Sequence, residues 1–235
     1  MLDGLFDEYS LKARVNPALL VLLPVFVVVA VWFPSLYEFG TAIAGLFVSC
    51  GAVAILAHFA RERGKKIEPG LWSQWGGAPA TMALHHSDSL IEDHLKNRYH
   101  KFLETKIPNW RAPSPEEEIE NPKHSFQTYN SAIGWLKERT RDSKRFPLVF
   151  AENINYGFRR NVLGLKTIGI IFSFGSVLFN LWFCYRAVCS QGVAATIISF
   201  FFMFWWIAVV KDSWVKKSAD EYSDKLLASC DLLAD

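Results

Sequence analysis

Four long apolar blocks are the feature that most limits what this chain can fold into. They cover about residues 15–33, 40–60, 167–188 and 193–210. Each block is roughly 18–22 residues long, and at about 1.5 Å rise per residue such a helix crosses about 30 Å of hydrocarbon. A buried helix of a soluble protein seldom stays apolar on every face over that length. We therefore predict an all-α membrane protein with four transmembrane helices in two hairpins.

Composition excludes several other classes of protein. The chain has 19 Phe and 9 Trp, which argues against disorder, and four Cys, which are too few for a disulfide scaffold. The net charge of +2 gives no reason to expect a nucleic-acid partner. The first apolar block follows a segment in which three acids precede the first lysine, whereas a signal peptide starts with a short basic region. We therefore interpret this block as a retained span.

The positions of lysine and arginine predict the orientation of the spans. Of the 25 Lys and Arg, all except Arg186 lie before the first span, between the second and third spans, or after the fourth. Because cytoplasmic loops carry the excess of positive charge, we expect both termini in the cytoplasm and the protein in a bacterial inner membrane. The predicted organisation is then a cytoplasmic N-terminal segment (1–14), a first hairpin (15–60), a helical cytoplasmic domain (61–166), a second hairpin (167–210) and a cytoplasmic helical tail (211–235).

Helix signals mark the middle segment. A helix from about Asp88 to Lys106 is expected to begin with a capping box formed by Ser89 and Glu92, and a second capping box at Ser114–Glu117 predicts a short helical turn. Asn121 followed by Pro122 has the pattern of an N-cap and first helical residue. A helix starting at Pro147 leads into the third span.

Heptad-like spacing predicts how two of these helices pack. One seam consists of Phe126, Tyr129, Ile133, Leu136 and Thr140, and we expect it to face the preceding helix. A second seam follows the fourth span, which the tail is expected to continue: Val215, Ala219, Tyr222, Leu226, Ser229 and Leu233. This tail seam has two candidate partners, the middle helices and a second copy of itself, and we favour the middle helices.

Small and polar residues inside the spans suggest how the helices associate. The pairs Gly45/Ser49 and Gly169/Ser173 allow close helix approach, either within one subunit or between subunits. Asn180 is interpreted as an interhelical hydrogen-bonding group or, in an oligomer, a pore-lining group. Cys184 and Cys189 are candidates for a disulfide, with free thiols as the alternative.

The histidines of the middle segment provide weak candidates for a metal site, namely His85, His86 and His94. A zinc or iron site needs three or four ligands that converge on one point, and the segment contains no H-E-x-x-H or E-x-x-H pattern. We therefore predict no metal and no cofactor. Helix caps and hydrogen-bond donors are the expected roles of these side chains.

Two further groups are candidates for binding. A basic run with two additional arginines is expected to contact anionic lipid headgroups or a phosphate-bearing ligand: Arg139, Arg141, Lys144, Arg145, Arg159 and Arg160. Four amide or aromatic residues have no amphipathic pattern, and we expect them to cap helix ends or contact a partner: Asn153, Asn155, Tyr156 and Asn161.

No catalytic motif is recognised in the chain: Walker A, G-x-S-x-G and C-x-x-C patterns are all lacking from the sequence. We therefore expect a non-enzymatic, homo-oligomeric membrane effector or channel-like assembly, controlled through its cytoplasmic domain by a protein partner or a small signalling ligand. Membrane disruption in antiphage defence is one hypothesis for its use. The alternatives are a non-catalytic scaffold or subunit of a larger complex, and a metal-dependent membrane enzyme. Membrane lipids are expected partners, and nucleic acid is not.

The orientation can be tested by reporter fusion. A reporter that is active only outside the cytoplasm should be active when inserted after Ser35 or Gln191, and inactive after Glu120 or at the C-terminus. The reversed pattern of activity would contradict the predicted orientation.

Overall fold

The computed structural model describes residues 7–36, 40, 52–187 and 189–234, and within them the regular structure is helical without a strand. The helices of these described residues are, in chain order, α1 (Glu8–Trp32), α2 (Ala52–Gln74), α3 (Pro79–Met82), α4 (Asp93–Lys106), α5 (Pro115–Glu120), α6 (Pro122–Arg139), α7 (Pro147–Arg186), α8 (Ser190–Ala208) and α9 (Asp212–Ala234). Residues 11–15 of α1 form a π-helical stretch, and a 3₁₀ turn covers Pro34–Leu36.

The chain divides into two compact units. The first unit comprises Met1–Glu68 and Gly157–Val215, and the second comprises Pro69–Tyr156 and Lys216–Asp235. Most of the predicted middle domain (61–166) therefore falls in the second unit, which also takes in the tail.

In the part of the chain that the structure describes, three helices are long and apolar enough to cross a membrane, namely α1, α7 and α8. They match the first, third and fourth predicted spans. Most of the second predicted span, 40–60, lies outside the described residues. Three of the four predicted spans therefore have a matching helix. The third span is the C-terminal part of the 40-residue helix α7, which starts at Pro147 as expected.

Asn180 connects the three apolar helices of the first unit. Its side chain is fully buried. Its Oδ1 accepts a hydrogen bond from Trp32 Nε1 of α1 at 2.8 Å, and its Nδ2 donates to Ser199 Oγ of α8 at 3.0 Å. An unpaired amide is costly in an apolar environment, so these bonds fix how α1, α7 and α8 are rotated about their axes. Of the two predicted roles, the structure gives Asn180 the interhelical one.

Small residues bring α7 and α8 into close contact. Gly169 lies against the indole of Trp206, which is fully buried, and a β-carbon at residue 169 would overlap that ring. Ser173, one turn further along α7, is also fully buried. The Gly169/Ser173 pair therefore packs within the chain. Gly45 and Ser49 lie outside the described residues.

The tail does not continue the fourth span. Helix α8 ends at Ala208, and α9 begins at Asp212 as a separate helix. Lys166 Nζ donates to the carbonyl of Val210 at 2.6 Å, which satisfies an acceptor that the helix would otherwise bond internally. The prediction of a continuous helix was therefore wrong.

The core of the second unit combines α4, α6 and α9. Tyr99 and Leu103 of α4 and Leu226 of α9 are buried in one cluster with the α6 residues Tyr129, Ile133 and Leu136. The predicted seam of α6 is thus confirmed, since Thr140 is also buried and Phe126 is half-buried. The tail packs on the middle helices, as favoured, because Leu227 and Cys230 join the same cluster.

Besides the start of α7 at Pro147, two of the other three predicted helix starts are confirmed. Ser114 forms the capping box with Glu117, and the Asn121 side chain accepts from the His124 N–H. The capping box at Ser89 was wrong, because α4 starts at Asp93 and its N-cap, Glu92, makes no side-chain cap bond. The loop ahead of α4 is held instead by the buried Lys96, whose Nζ donates to the carbonyl of Asp88 at 2.6 Å.

Replacing the buried amide tests its role in the first unit. Asn180→Ala should lower the free energy of unfolding by about 1–2 kcal/mol, because the Trp32 N–H donor and the Ser199 hydroxyl acceptor lose their partner in an apolar surrounding. Reversible unfolding of the full chain in mixed micelles would measure this. Leu178→Ala, at a residue that is 52% exposed on the same helix, is the control and should have a smaller effect. If both substitutions lowered the free energy of unfolding equally, the interhelical role of Asn180 would be contradicted.

Candidate functional site: a histidine-lined cleft in the second unit

A cleft of about 1030 Å³ opens in the second unit, between the C-terminal end of α2 and helices α3, α5 and α6. Its wall is mainly apolar and includes Pro69, Trp72, Met82, Ile119, Pro122 and Phe126. The ionisable side chains that line it are those of His85, His86, Glu118 and Lys123. The cleft therefore has an apolar interior with few polar groups, as ligand sites commonly have.

A glycine turn shapes one side of the cleft. Helix α2 ends at Gln74, and Gly76 and Gly77 follow with φ values of 83° and 154°. A β-carbon at residue 77 would lie 2.7 Å from Met82 Sδ and 2.7 Å from a ring atom of Phe126. Only glycine allows the backbone to turn this closely against the apolar wall.

Glu118 is the centre of a buried hydrogen-bond network beside the cleft. Its Oε1 accepts from Tyr129 Oη at 2.7 Å, and its two oxygens lie 3.1 and 3.2 Å from the His86 backbone N–H. Its Oε2 lies 3.5 Å from His85 Nδ1, and the side chains of Glu118 and His85 are 9% and 10% exposed. Burial and the Glu118 carboxylate both raise the pKa of Tyr129, so this hydroxyl stays protonated and donates to Glu118.

His85 lines the cleft and has one buried nitrogen without a hydrogen-bond partner among the described residues. Its Nδ1 lies on the Glu118 side of the ring, 3.5 Å from Oε2. Its Nε2 is buried and has no hydrogen-bond partner among the described residues. The imidazole is held in place by edge contact with the Tyr129 ring, whose centre lies 4.7 Å away. An unpaired buried polar atom in a cleft wall is a position where a ligand group would gain a hydrogen bond.

The neighbouring histidines are already engaged with the backbone. His86 Nε2 lies 3.0 Å from the Pro113 carbonyl, and His100 Nε2 lies 2.9 Å from the Leu84 carbonyl. A carbonyl only accepts, so each of these nitrogens carries a proton and donates. Burial lowers the pKa of His100 to about 4, which keeps its ring neutral near pH 7.

The three weak metal candidates do not converge. His94 is mostly exposed, and its Nδ1 lies 3.3 Å from Glu92 Oε2, whereas His86 is bonded to a carbonyl. Within the described part of the chain, no group of three or more His, Cys, Asp or Glu side chains is arranged to hold a metal ion. His85 and His86 both line the cleft, and His85 is the one with a nitrogen that has no hydrogen-bond partner among the described residues.

The predicted anion-binding residues are distributed over both units. In the second unit, Arg139 lies over the Trp135 ring, Arg145 lies over the Phe146 ring, and Arg141 pairs with Glu138 at 2.6 Å. Lys144 and these three arginines are exposed. They remain accessible to anions, but the described structure gives none of them a buried anion-binding pocket.

Two of these arginines belong to the first unit and have structural contacts. Arg160 is 8% exposed and pairs with Glu68 at 2.8 Å. Arg159 donates to the Trp214 carbonyl at 3.0 Å and lies over the Trp214 ring. These contacts tie α7 to α2 and to the start of α9, so Arg160 is part of the fold and not of an exposed patch.

The amide-rich stretch of α7 also proves to be largely structural. Asn161 is 1% exposed and donates from Nδ2 to the Ala13 carbonyl at 2.6 Å, which joins α7 to the π-helical stretch of α1. Tyr156 is buried and accepts from Trp72 Nε1 at 3.3 Å. Asn155 is exposed and donates to Glu152, and Asn153 is half-buried. A partner contact remains a prediction for Asn153 and Asn155.

The predicted disulfide is not formed, and Cys184 and Cys189 are both free thiols. Cys189 is the N-cap of α8, where its Sγ accepts from the Gly192 N–H at 3.3 Å. Cys184 Sγ lies 4.0 Å from Thr196 Oγ1 instead of facing Cys189. The two sulfurs thus have separate partners on α8.

Sequence reasoning missed Glu118 and Tyr129 as site residues. Glu118 lies in a run of three glutamates that has the appearance of a solvated helix start, and Tyr129 was assigned to the packing seam. Neither has a local pattern that indicates a buried carboxylate, because the contact between them arises only when α5 folds against α6.

His100 predicts a pH dependence of stability. Because its folded pKa of about 4 lies below the ordinary 6.5, the unfolded chain takes up a proton first as pH falls. Stability contributed by the neutral ring is complete above pH 6.5 and is lost between pH 6.5 and about 4, by about 2–3 kcal/mol. In His100→Gln this part of the pH dependence should disappear in thermal or chemical unfolding, whereas the control His94→Gln should retain it. An unchanged profile in His100→Gln would contradict this.

Comparison with other proteins adds no functional information. No family model, curated protein or solved structure matches this chain. The residues of the chain itself, and above all the His85 cleft, are therefore what indicates its function.

Proposed function

We propose that this chain is a multi-pass membrane effector whose helical domain binds a small signalling ligand in the His85 cleft. The proposal places the second unit in the cytoplasm of a bacterium, in agreement with the distribution of Lys and Arg along the chain. The observation that carries it is the buried, unpaired Nε2 of His85 in the wall of an apolar cleft.

The volume of the cleft and the free-energy cost of its unpaired buried nitrogen both support a binding role. Protein interiors are close-packed, and a space of about 1030 Å³ is in the range of small-molecule sites. An unpaired buried nitrogen costs about 1–3 kcal/mol, which a ligand recovers when it forms the missing hydrogen bond. The glycine turn at residues 76–77 and the Glu118 network hold the walls in place without a ligand.

Continuous helices supply a route by which a bound ligand acts on the membrane part. Helices α2 and α7 each contain residues of both units and have no break between them. The cleft residue Trp72 is on α2 and bonds to Tyr156 of α7. A ligand that moves Trp72 therefore acts on both helices that lead to the first unit, and differential binding to two states is what such control requires.

The effector is proposed to act as a homo-oligomer in contact with lipid. The exposed faces of α7 and α8 carry large apolar side chains, among them Phe174, Phe201 and Phe204, which suit lipid or a second copy of the chain. Asn180 is not part of the proposed pore lining, because both ends of its amide are paired within the chain.

The test begins with what the full chain retains when purified. Protein in lipid nanodiscs is extracted with organic solvent, and small molecules are compared by mass spectrometry for the wild type, His85→Phe and the control His94→Phe. We expect one compound to be retained stoichiometrically by the wild type and by His94→Phe, and at least about tenfold less by His85→Phe, which corresponds to about 1.4 kcal/mol of lost binding energy.

Dye release from proteoliposomes tests control of the membrane part. Adding the retained compound should change the release rate for the wild type and for His94→Phe, and leave it unchanged for His85→Phe. If no compound is retained, and release is the same for all three proteins, the proposed function is wrong.

A further inference from the structure

We propose that the exposed face of α2 in the first unit binds an anionic phospholipid, whose acyl chain lies on Ile55 and Phe59 and whose phosphate is held by Arg63 and Lys66. This inference goes beyond the proposed function, because the His85 cleft belongs to the second unit. It follows from the rotation of α2 about its axis, from the order of the side chains along its exposed face, and from the charges at one end of that face.

Small residues fix the rotation of α2. Ala57 and Ala60 are 1% and 0% exposed. Gly64 lies so close to α7 that a β-carbon at this residue would overlap Asn161. Residues three and four positions apart share one face of a helix, so these three small residues define the buried face of α2. The opposite face points away from the rest of the first unit.

That opposite face changes from apolar to basic along the helix. Ile55 and Phe59, at the end of the second predicted span, are 69% and 40% exposed. Arg63 and Lys66 follow at spacings of four and three residues and are also exposed. These four residues, which we call the α2 stripe, extend over about 16 Å at about 1.5 Å per residue, close to half of a hydrocarbon core of about 30 Å. One lipid of a single leaflet therefore has the length to lie along the stripe.

A hollow of about 560 Å³ lies at the basic end of the α2 stripe. The described residues that line it are three cations, one acid and one aromatic residue: Arg63, Lys65, Lys66, Glu62 and Phe59. The ion pairs described in the first unit join Lys12 to Glu8 and Arg160 to Glu68. The three cations of the hollow therefore have no acidic partner among the described residues, and a phosphate placed there supplies the opposite charge.

The Phe59 ring places Arg63 for contact with a phosphate. The guanidinium carbon of Arg63 lies 5.1 Å from the centre of this ring. Stacking uses a face of the planar guanidinium and leaves the N–H groups at its edge to donate. Such an edge donates two parallel hydrogen bonds to a phosphate, whereas a lysine contributes a point charge. Phe59 therefore serves both parts of the ligand, as apolar surface for the chain and as a support for Arg63.

The apolar half of the α2 stripe favours a lipid over a soluble phosphate. A phosphate ion would use Arg63 and Lys66 and make no contact with Ile55. An anionic phospholipid uses the whole stripe, because its charged head and its acyl chain follow each other in the same order as the basic and apolar side chains.

Lipid binding by the full chain in detergent tests this inference. Native mass spectrometry measures the affinity for the first bound lipid, with anionic phosphatidylglycerol and with phosphatidylcholine, which has the same acyl chains and no net charge. The test variant is Arg63→Gln/Lys66→Gln, and the matched control is Lys101→Gln/Lys106→Gln. The control removes the same charge from exposed residues of α4, where Lys106 also lies over an aromatic ring, that of Phe102.

For the wild type and the control we expect phosphatidylglycerol to bind at least about tenfold more tightly than phosphatidylcholine. In Arg63→Gln/Lys66→Gln the affinities for the two lipids should lie within about twofold of each other. Glu62→Gln should increase the preference for phosphatidylglycerol, because it removes the acid that lines the hollow.

Three outcomes would overturn the inference. The first is equal binding of the two lipids by the wild type, and the second is the same loss of preference in the control as in Arg63→Gln/Lys66→Gln. The third is displacement of phosphatidylglycerol by millimolar inorganic phosphate, which would make a phosphate ion the ligand. If the test variant does not fold, the wild type and Glu62→Gln still decide the question. No variant of His85 enters this experiment, so its result is independent of the proposed function.

Discussion

Buried hydrogen-bonding groups must find partners inside the chain, and both units of this protein are organised around that requirement. In the first unit, the Asn180 amide is placed among apolar helices and is satisfied by Trp32 and Ser199. In the second unit, the Glu118 carboxylate is satisfied by Tyr129 and His86. Each group is costly to bury alone, so the helices that carry its partners are held in one arrangement.

Three buried side-chain atoms of the described residues do not meet this requirement, namely Ser173 Oγ, Trp206 Nε1 and His85 Nε2, and of these three residues His85 lines the cleft. His86, His100 and Lys96 all donate to backbone carbonyls, and these bonds secure the loop ahead of α4 and the ends of neighbouring elements. His85 belongs to the same network through Nδ1, but its Nε2 is left without a partner in the described part of the chain. A buried nitrogen that the fold positions rigidly and does not use is therefore the strongest indication of a ligand in this molecule.

Much of the helical architecture could be predicted because its signals are local. Apolar runs show three of the spans, the Ser114 capping box and the Asn121-Pro122 pair show two helix starts, and the Tyr129–Leu136 spacing shows the face of α6 that is buried. The two wrong helix predictions have a common cause. The break before α9 and the start of α4 at Asp93 depend on Lys166 and Lys96, which reach carbonyls in other segments.

Local patterns in the amino-acid sequence were therefore enough to predict the helical class, three membrane-spanning candidates and the faces along which the middle helices pack. Hydrophobicity and capping act over a few residues, so they can be recognised from neighbours in the chain. The pairing of the polar residues could be seen only in the folded chain, because partners such as Trp32 and Asn180, or Glu118 and Tyr129, are brought together by folding. In the folded chain, Arg160 and Asn161 make internal contacts instead of forming the predicted binding sites. His85 lines a cleft and has one nitrogen without a partner among the described residues.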